Sequence, residues 1–135
     1  MPTVTTICPV FEESAGIRRF HSTLWTTLDR LAERYSFHVL YVCDPGRDET
    51  EAKLNALAKS DTNTSAIVLS RRFGHQAALL AGIDYADSDI VIMMDADLQH
   101  PPEVIPDLLR QFELGFDIVH AIRSYDPEIG WVKRF

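Results

Sequence analysis

The sequence predicts an α/β fold, a three-layer α/β/α sandwich around a mostly parallel, Rossmann-like sheet. Apolar runs rich in β-branched residues alternate five times with segments of helical periodicity. No repeat, low-complexity tract or linker rich in Gly, Ser or Pro interrupts this alternation. Strands that alternate with helices form a parallel sheet covered on both faces, and right-handed crossovers make 3-2-1-4-5 the expected strand order. We therefore expect residues 1–135 to form one domain.

The first two strands and the first helix follow from the spacing of apolar residues. Thr3–Phe11 is an apolar run typical of a strand. From about Ser14 to Tyr35, apolar residues recur every three or four positions, as one helix face requires: Ile17, Phe20, Leu24, Leu28 and Leu31. A second strand is expected at Phe37–Cys43, because the turn-forming triplet Asp44-Pro45-Gly46 follows it.

The next segments repeat this pattern. A helix from about Thr50 to Lys59 precedes a third strand at Ser65–Leu69. The small residues of the segment Gly74–Ala86 predict a helix that packs closely on the sheet. Ile90–Met94 is a continuous apolar run, which is typical of a central strand covered on both faces.

A fifth strand completes the predicted sheet. Pro101-Pro102 favours a helix start, and this helix is expected to run to about Leu114. The segment Phe116–Ile122 is then the fifth strand. Ligands of such sheets bind beyond the carboxyl ends of the strands. The candidate site residues are therefore those that follow each strand: Phe11, Glu12, Glu13, Asp44, Arg71, Arg72, Asp95, Ala96, Asp97 and Arg123.

The composition narrows the class of protein and of partner. Lys and Arg number 13 against 20 Asp and Glu, and the formal charge of −7 disfavours nucleic acid as a partner. An acidic protein can still bind an anionic ligand through a divalent cation. No apolar run approaches the roughly 20 residues that span a bilayer, and the start of the chain lacks a secretory signal, so we expect a cytoplasmic protein. Cys8 and Cys43 lie in predicted buried strands and are expected to be reduced thiols.

Two aspartates, Asp95 and Asp97, follow the fourth predicted strand. Neighbouring carboxylates in a partly dry cleft repel one another, and a hard divalent cation with oxygen ligands removes that repulsion. The amide oxygen of Gln99 is a further candidate ligand. The pattern predicts a site for Mg²⁺ or Mn²⁺, which would bring phosphate groups with it, although two aspartates at this spacing also arise often by chance.

The segment around these aspartates resembles a family signature. Residues 93–103 (MMDADLQHPPE) are similar to the D-A-D-L-Q-(D/H)-P-P-E signature of family-2 glycosyltransferases of the polyprenyl-phosphate type. The other motifs of that family have counterparts in the same order along nearly the whole chain. They are PVFEE at 9–13, VCD at 42–44 with DET at 48–50, SRRFGHQAA at 70–78, FDIV at 116–119 with Arg123, and WVKR at 131–134.

The resemblance implies a role for each residue on the metal side of the site. Asp97 would ligate the metal together with Gln99, and Asp95 would contact the metal or the donor ribose. Arg123 would approach the diphosphate or the acceptor phosphate, and Asp97 and Arg123 would be the catalytic pair. The alternative for Arg123 is a solvated charge at a strand end.

The resemblance also implies a nucleobase side. Asp44 would hydrogen-bond the base, and Pro9, Phe11 and Glu13 would line its pocket, with Arg71 as a further substrate contact. Glu12 and Glu13 are open to another interpretation, as acids that complement a helix dipole. His75 and His100 are expected to be packing or solvated residues, because neither has a second His or Cys at metal-binding spacing.

Five positions depart from the family pattern. Glu12 replaces an Asn, Cys43 replaces the first Asp of a pair, Pro45-Gly46 replaces Gly-Ser, and Arg72 replaces an Asn. A thiol cannot accept hydrogen bonds as a carboxylate does. These changes concern recognition of the base, where Asp44 is retained.

The function that the resemblance implies is metal-dependent, inverting transfer of a sugar from a nucleotide-diphosphate sugar, UDP-linked in preference to GDP-linked. The acceptor would be polyprenyl phosphate or another glycan acceptor at the cytoplasmic membrane face. Family members continue well beyond the last motif, so the chain corresponds to their donor-binding part and is expected to be incomplete at its C-terminus. Any membrane contact would come through that further region or the acceptor lipid, and self-association of the chain is left open.

Other classes of protein remain as alternatives. The main one is a non-catalytic nucleotide-sugar-binding module or inactive fragment, which Cys43 and the short chain favour. A receiver-type signalling domain is disfavoured, because it needs an Asp after strand three and a Lys after strand five, where Ser70 and Arg123 stand. A dinucleotide oxidoreductase is disfavoured because no G-x-G-x-x-G follows the first strand.

Overall fold

The computed structural model describes residues 1–122. Its elements, in chain order, are β1 (Thr3–Val10), α1 (Ile17–Asp29), β2 (Ser36–Cys43), α2 (Thr50–Ser60), β3 (Thr64–Val68), α3 (His75–Tyr85), β4 (Ile90–Met93), a 3₁₀ turn (Pro102–Val104) and α4 (Ile105–Glu113). The chain divides into two compact units, of which the first is Met1–Pro102 and the second begins at Glu103. The first unit contains the whole sheet and three of these helices, while α4 belongs to the second.

The four strands form one parallel sheet in the order β3-β2-β1-β4. β1 lies between β2 and β4, with Ile7 opposite Leu40 on one side and opposite Met93 on the other. Parallel pairing brings the carboxyl ends of all four strands to one edge of the sheet. The Rossmann-like fold class and the first four positions of the expected strand order are confirmed.

Helices cover both faces of this sheet, as a three-layer sandwich requires. Tyr41 of β2 faces α1, because its hydroxyl lies 2.8 Å from Nδ1 of His21 and its ring meets that of Phe20. The next residue, Val42, points to the opposite face, since side chains alternate along a strand. There it packs with Ala78 of α3 in a buried cluster. α1 and α3 therefore lie on opposite sides of the sheet.

The small residues of α3 bring this helix close to the sheet, as predicted. Gly82 is buried, and a Cβ atom at this position would lie 2.4 Å from Cγ2 of Ile7 and 3.3 Å from Cγ2 of Val42. Because real Cβ contacts are longer than 3 Å, α3 lies too close to the sheet at this position for any residue with a side chain. Ala78, one turn earlier, is buried against the same strands.

Pro9 occupies a central strand at a position where its missing N–H group has no cost. The carbonyl of Val10 accepts from Asp44 N on the β2 side, whereas the carbonyl of Ile7 accepts from Met94 N on the β4 side. The backbone N–H and C=O groups of successive residues point to opposite neighbouring strands, so those of residues 7 and 9 both point to the β4 side. The β1–β4 register ends at Ile7, and Pro9 lies beyond it.

The prediction of a fifth strand is wrong within the described residues. Residues 116–122 form no strand, and Phe116, Ile118 and Ile122 are 57%, 78% and 69% exposed. A strand requires a neighbour that accepts its backbone hydrogen bonds, and an apolar run alone does not specify that neighbour. The carboxyl side of this segment, including Arg123, lies outside the described residues.

Two further expectations are corrected. β4 is not covered on both faces, since Val91 and Met93 are 38% and 53% exposed while Ile92 is buried. In the described residues β4 is an edge strand, which the apolar run did not reveal. α1 is also shorter than predicted, because it ends at Asp29 and a series of turns, beginning with Leu31 N to Leu28 O at 2.9 Å, leads to β2.

Both cysteines are free and buried, which confirms the expected reduced thiols. They lie on the neighbouring strands β1 and β2. Burial raises the pKa of the Cys8 thiol and raises that of Cys43 to about 11, so neither is a reactive thiolate near neutral pH. Among residues 1–122, no helix is long and apolar enough to cross a bilayer.

Acid is expected to destabilise the fold through His21 and His38. Burial lowers the pKa of both imidazoles, with an opposing effect from Asp61. The unfolded chain therefore binds protons more readily, so stability is complete above the unfolded pKa of about 6.5 and falls as pH decreases through the lowered pKa values. In urea unfolding between pH 7.5 and 5, the free energy of unfolding should depend less on pH in His21→Gln than in the parent. His120→Gln, at an exposed position, is the control and should retain the parent slope.

Candidate functional site

The carboxyl edge of the sheet carries the residues that the sequence singled out. Phe11 and Glu13 follow β1, Asp44 follows β2, the 70–74 loop follows β3, and Asp95 and Asp97 follow β4. Of these positions only Asp44 is buried; the others are half-buried or exposed. The edge is therefore accessible to a ligand, and acidic residues follow β1, β2 and β4.

Asp44 anchors the loop that follows β3. Only 4% of the residue is exposed, and its two carboxylate oxygens accept from the backbone N–H groups of Phe73, at 3.1 Å, and Gly74, at 2.9 Å. Gly74 has φ of 94°, which favours glycine at this turn. The structure thus gives Asp44 a positioning role that the sequence did not predict. The proposed contact between Asp44 and a base must share this carboxylate.

Replacing Asp44 is expected to loosen the 70–74 loop. In Asp44→Asn only one amide oxygen can accept, so one of the two N–H groups loses its partner at a cost of about 1–3 kcal/mol. Hydrogen exchange should show faster exchange at Phe73 and Gly74 than in the parent. Nucleotide binding should weaken with or without metal. Asp61→Asn, which changes a carboxylate at the opposite edge, is the matched control and should leave these two amides unchanged. Unaltered protection in Asp44→Asn would contradict the anchoring role.

A second network fastens the loop after β1 to the loop after β2. Glu13 N donates to Thr50 Oγ1 at 2.9 Å, and Ser14 N donates to Asp48 Oδ2 at 3.2 Å. Hydrogen bonds from Thr50 and Ser14 hold the pKa of the exposed Asp48 carboxyl at about 2. Glu12 has φ of 48°, a region that suits Asn better than Glu, and its Oε1 accepts from Arg47 N at 3.3 Å. The residue that departs from the family pattern thus carries a local backbone cost.

The interpretation of Glu12 and Glu13 as helix acids is not supported. α1 begins at Ile17, and its first turn contains no acidic residue. Burial raises the pKa of the Glu13 carboxyl, and the charges of Asp97 and Asp48 raise it further. Glu13 and Asp97 follow the neighbouring strands β1 and β4, and the charge of Asp97 disfavours ionisation of Glu13.

Asp97 sits in a tight turn at the end of β4. Its Oδ1 accepts from Gln99 N at 3.0 Å, and the intervening Leu98 has φ of 62°. The turn leaves Asp97 exposed and directs the backbone N–H of Gln99 to this carboxylate. A local hydrogen bond of this kind holds the carboxylate in one orientation before any ligand arrives.

Asp95 is flanked by two histidines. His75 Nε2 lies 2.7 Å from Asp95 Oδ1, and His100 Nδ1 lies 3.8 Å from Oδ2 and 3.4 Å from the backbone N of Asp95. These contacts were not predicted, because neither histidine has a second His or Cys at metal-binding spacing in the sequence. The positions of the two histidines after β3 and β4 could have suggested these contacts, since both segments meet at one sheet edge. His75 thus orients the Asp95 carboxylate, while His100 accepts from the Asp95 backbone N–H.

The carboxylates at this edge suit a hard divalent ion that is held by the protein and by the phosphates of a bound substrate together. Within the described residues, no group of three His, Cys, Asp or Glu side chains could hold a metal ion by itself. Mg²⁺ and Mn²⁺ are commonly bound by one or two carboxylates, with substrate phosphates and water completing the coordination. Asp95 and Asp97 provide such carboxylates, and the residues present fit the ion on this basis. Gln99 remains a proposed ligand.

Two arginines of the 70–74 loop stack on aromatic rings. The Arg72 guanidinium carbon lies over the Phe11 ring, 3.7 Å from its centroid, and that of Arg71 lies 4.8 Å from the Phe73 centroid. Both arginines are exposed, and neither makes an ion pair with any residue among 1–122. The sequence placed both arginines among the candidate residues, but a substrate contact was predicted for Arg71 alone. Arg123, the proposed catalytic arginine, lies outside the described residues.

Comparison with known proteins agrees with this arrangement. A family model described as glycosyl transferase family 2 matches residues 5–134. The bactoprenol glucosyl transferase of Shigella phage SfV is 37% identical over 131 residues, covering 97% of this chain and 42% of that protein. The undecaprenyl-phosphate 4-deoxy-4-formamido-L-arabinose transferase of Pseudomonas fluorescens is 36% identical over 122 residues, covering 90% and 35%. The chain thus spans about two fifths of the length of these relatives.

Two solved structures share the fold. A mannosyltransferase from Pyrobaculum calidifontis, in complex with GDP-Man and Mn²⁺, superposes with a TM-score of 0.68 at 21% identity, covering 81% of this chain and 32% of that one. The glucosyl-3-phosphoglycerate synthase of Mycobacterium tuberculosis, in complex with Mn²⁺, UDP and phosphoglyceric acid, gives 0.61 at 21%, covering 82% and 39%. At this identity the likeness establishes the architecture alone.

Proposed function

The chain belongs to glycosyl transferase family 2, and from that premise we propose that it is the donor-binding part of a sugar transferase. It binds a nucleotide-diphosphate sugar, UDP-linked in preference to GDP-linked, at the carboxyl edge of the sheet. The sugar passes with inversion to a polyprenyl phosphate at the cytoplasmic face of the membrane. The relatives named for bactoprenol and undecaprenyl phosphate support this class of acceptor.

The observation that carries the proposal is the set of carboxylates at the ends of β1 and β4. Asp97 is exposed and held by Gln99 N, and Asp95 is held by His75. Burial raises the pKa of Glu13, and the charge of Asp97 raises it further. Carboxylates placed this close repel one another in the free protein. A divalent cation that arrives with a diphosphate removes this repulsion, so the edge is suited to a metal–diphosphate ligand.

The roles of the chain's own residues follow from this arrangement. Asp95 and Asp97 would hold Mg²⁺ or Mn²⁺, which when bound stabilises the negative charge that develops on the departing nucleotide diphosphate. His75 and Asp44 act through others: His75 orients Asp95, and Asp44 holds the 70–74 loop. Phe11 and Pro9 are assigned to the base side, and Arg123 to the phosphates.

The proposed acceptor places little demand on a general base. The second pKa of a phosphate monoester is about 6, so the acceptor is largely dianionic at neutral pH and needs little deprotonation. A sugar hydroxyl would require a base. Because the chain spans about two fifths of its relatives, acceptor binding is assigned to the further part that those proteins contain.

A second candidate is a nucleotide-sugar-binding module that does not catalyse transfer. The buried Cys43 supports it, since its thiol donates to the Asp44 carbonyl at 3.3 Å and adds no acceptor beside the proposed base site. On this reading Asp44 serves only as the loop anchor, and the metal–diphosphate site is retained without chemistry.

Nucleotide binding and sugar transfer by the purified chain distinguish the two candidates. Thermal unfolding with UDP, GDP and ADP, each with and without Mn²⁺, should show the largest stabilisation for UDP with Mn²⁺. Transfer to polyprenyl phosphate should be slow in the isolated chain, and fusion to the remaining part of a close relative should raise it. Binding without any transfer by the fusion would favour the module. A chain with no nucleotide-dependent stabilisation would refute the donor-binding proposal.

A further inference from the structure

Arg72 is exposed and makes no ion pair within residues 1–122, and unlike Arg71, which stacks on Phe73 of its own loop, it stacks on Phe11 of the loop after β1. Its guanidinium carbon lies 3.7 Å from the centroid of Phe11, so the group covers one face of that ring. A stacked guanidinium keeps the N–H groups of its planar edge free to donate.

The backbone that carries Arg72 is held in place. Asp44 accepts from Phe73 N and Gly74 N, the two residues that follow Arg72. Phe11, the stacking partner, follows β1 directly and is half-buried. The guanidinium is therefore fixed from two sides, by a loop anchored at the end of β2 and by a ring at the end of β1.

The order of the strands separates the backbone of Arg72 from that of Asp97, while the Arg72 guanidinium reaches Phe11 at the end of β1. Arg72 follows β3 and Asp97 follows β4, with the ends of β2 and β1 between them. Neighbouring strands are about 4.8 Å apart, so the ends of β3 and β4 lie roughly 14 Å apart along the edge. A nucleotide whose phosphates meet the ion beside β4 extends its base toward β1 and β2, where Arg72 covers Phe11.

We propose that Arg72, stacked on Phe11, recognises the carbonyl oxygens of the nucleobase and so selects bases that carry them; this inference rests on the proposed function. A guanidinium donates and cannot accept. Uracil offers two carbonyl oxygens, and guanine offers O6 beside N7, the pair that arginine often contacts in a bidentate manner. Adenine carries an amino group where guanine carries O6. Arg72 therefore favours uracil and guanine over adenine.

The test is the base preference of Arg72 variants. Calorimetric titration at fixed Mn²⁺ with UDP, GDP and ADP is made on the parent chain, Arg72→Gln, Arg72→Lys and Arg30→Gln. Arg30 is exposed at the far end of α1 and matches the charge change. We expect Arg72→Gln to weaken the binding of UDP and GDP by about tenfold, as loss of a charged hydrogen bond implies. The binding of ADP should weaken by about twofold at most. Arg72→Lys should also lose most of the preference, because lysine lacks the planar group.

Nucleoside titration separates base contact from phosphate contact. NMR titration with uridine should show the same relative loss in Arg72→Gln as UDP does. A loss for UDP with unchanged uridine binding would place Arg72 on the phosphates and overturn the inference. An equal loss for all three nucleotides, as a purely structural role predicts, would also overturn it. If the parent binds nucleotide and Arg72→Gln keeps its preference, only this inference fails; if the parent binds none, the proposed function fails as well.

Discussion

Asp97→Asn is expected to weaken metal-dependent nucleotide binding by about a hundredfold or more, because even outer-shell partners of metal ligands typically account for about 10–100-fold in affinity. The substitution removes an anionic oxygen from a hard cation, and a neutral amide is a poor replacement. Stability should stay unchanged or rise slightly. The charge of Asp97 contributes to the raised pKa of Glu13, so removing it relieves repulsion without opening a cavity.

The measurement is calorimetric titration of UDP and GDP at matched Mn²⁺, accompanied by thermal unfolding of the free proteins. Asp84→Asn makes the same charge change on the exposed surface of α3 and serves as the control. Its affinities should equal those of the parent. If Asp97→Asn binds nucleotide with the parent's affinity and metal dependence, the assignment of the metal site to Asp97 is incorrect.

Gly82→Ala is expected to destabilise the fold by about 1–3 kcal/mol, the usual cost of overpacking a core. Alanine is the better helix former by about 1 kcal/mol, so the net loss appears in spite of a favourable change in propensity. The added methyl group would lie 2.4 Å from Cγ2 of Ile7, and Ile7 is fully buried in the central strand. α3 would have to move away from β1 and β2.

Urea unfolding measures this effect, and two variants test its cause. Gly16→Ala adds the same methyl group where no atom lies within 4 Å and should change stability by no more than about 0.5 kcal/mol. Ile7→Ala removes the opposing Cγ2 group, so the double variant Ile7→Ala/Gly82→Ala should cost less than the sum of the single changes. Strict additivity would show that the close approach of α3 is not the cause.

Local sequence patterns predicted the layers of the fold. Contacts between segments distant in sequence determined which runs form strands and where α1 ends. The small residues of α3 predicted its close packing on the sheet, and the turn-forming residues after Cys43 predicted the end of β2. Whether residues 116–122 form a strand depends on a neighbouring strand for their backbone hydrogen bonds, and an apolar run does not specify that neighbour. The end of α1 was missed because Leu31 continues the apolar spacing and is half-buried even though it lies in a turn.

The site was predictable in its positions and less so in its contacts. Parallel pairing made it clear that residues after β1, β2 and β4 would meet at one edge. The partners of those residues are distant in sequence: Asp44 meets residues 73 and 74, Asp95 meets His75, and Arg72 meets Phe11. Side-chain geometry across three loops decides these contacts, and neither spacing nor family resemblance contains that geometry.

The central place of β1 has a consequence for how the chain is made. Its neighbour β4 is distant, and the hydrogen bond from Thr3 N to Asp89 Oδ2, which ties the two strands at their start, spans 86 residues. At about 5–20 residues per second, roughly 4–17 s of synthesis separate these two positions. During that interval one edge of β1 is open to pairing with another nascent chain. Pro9 faces that edge without a donor, and so limits such pairing at the end of the strand where it lies.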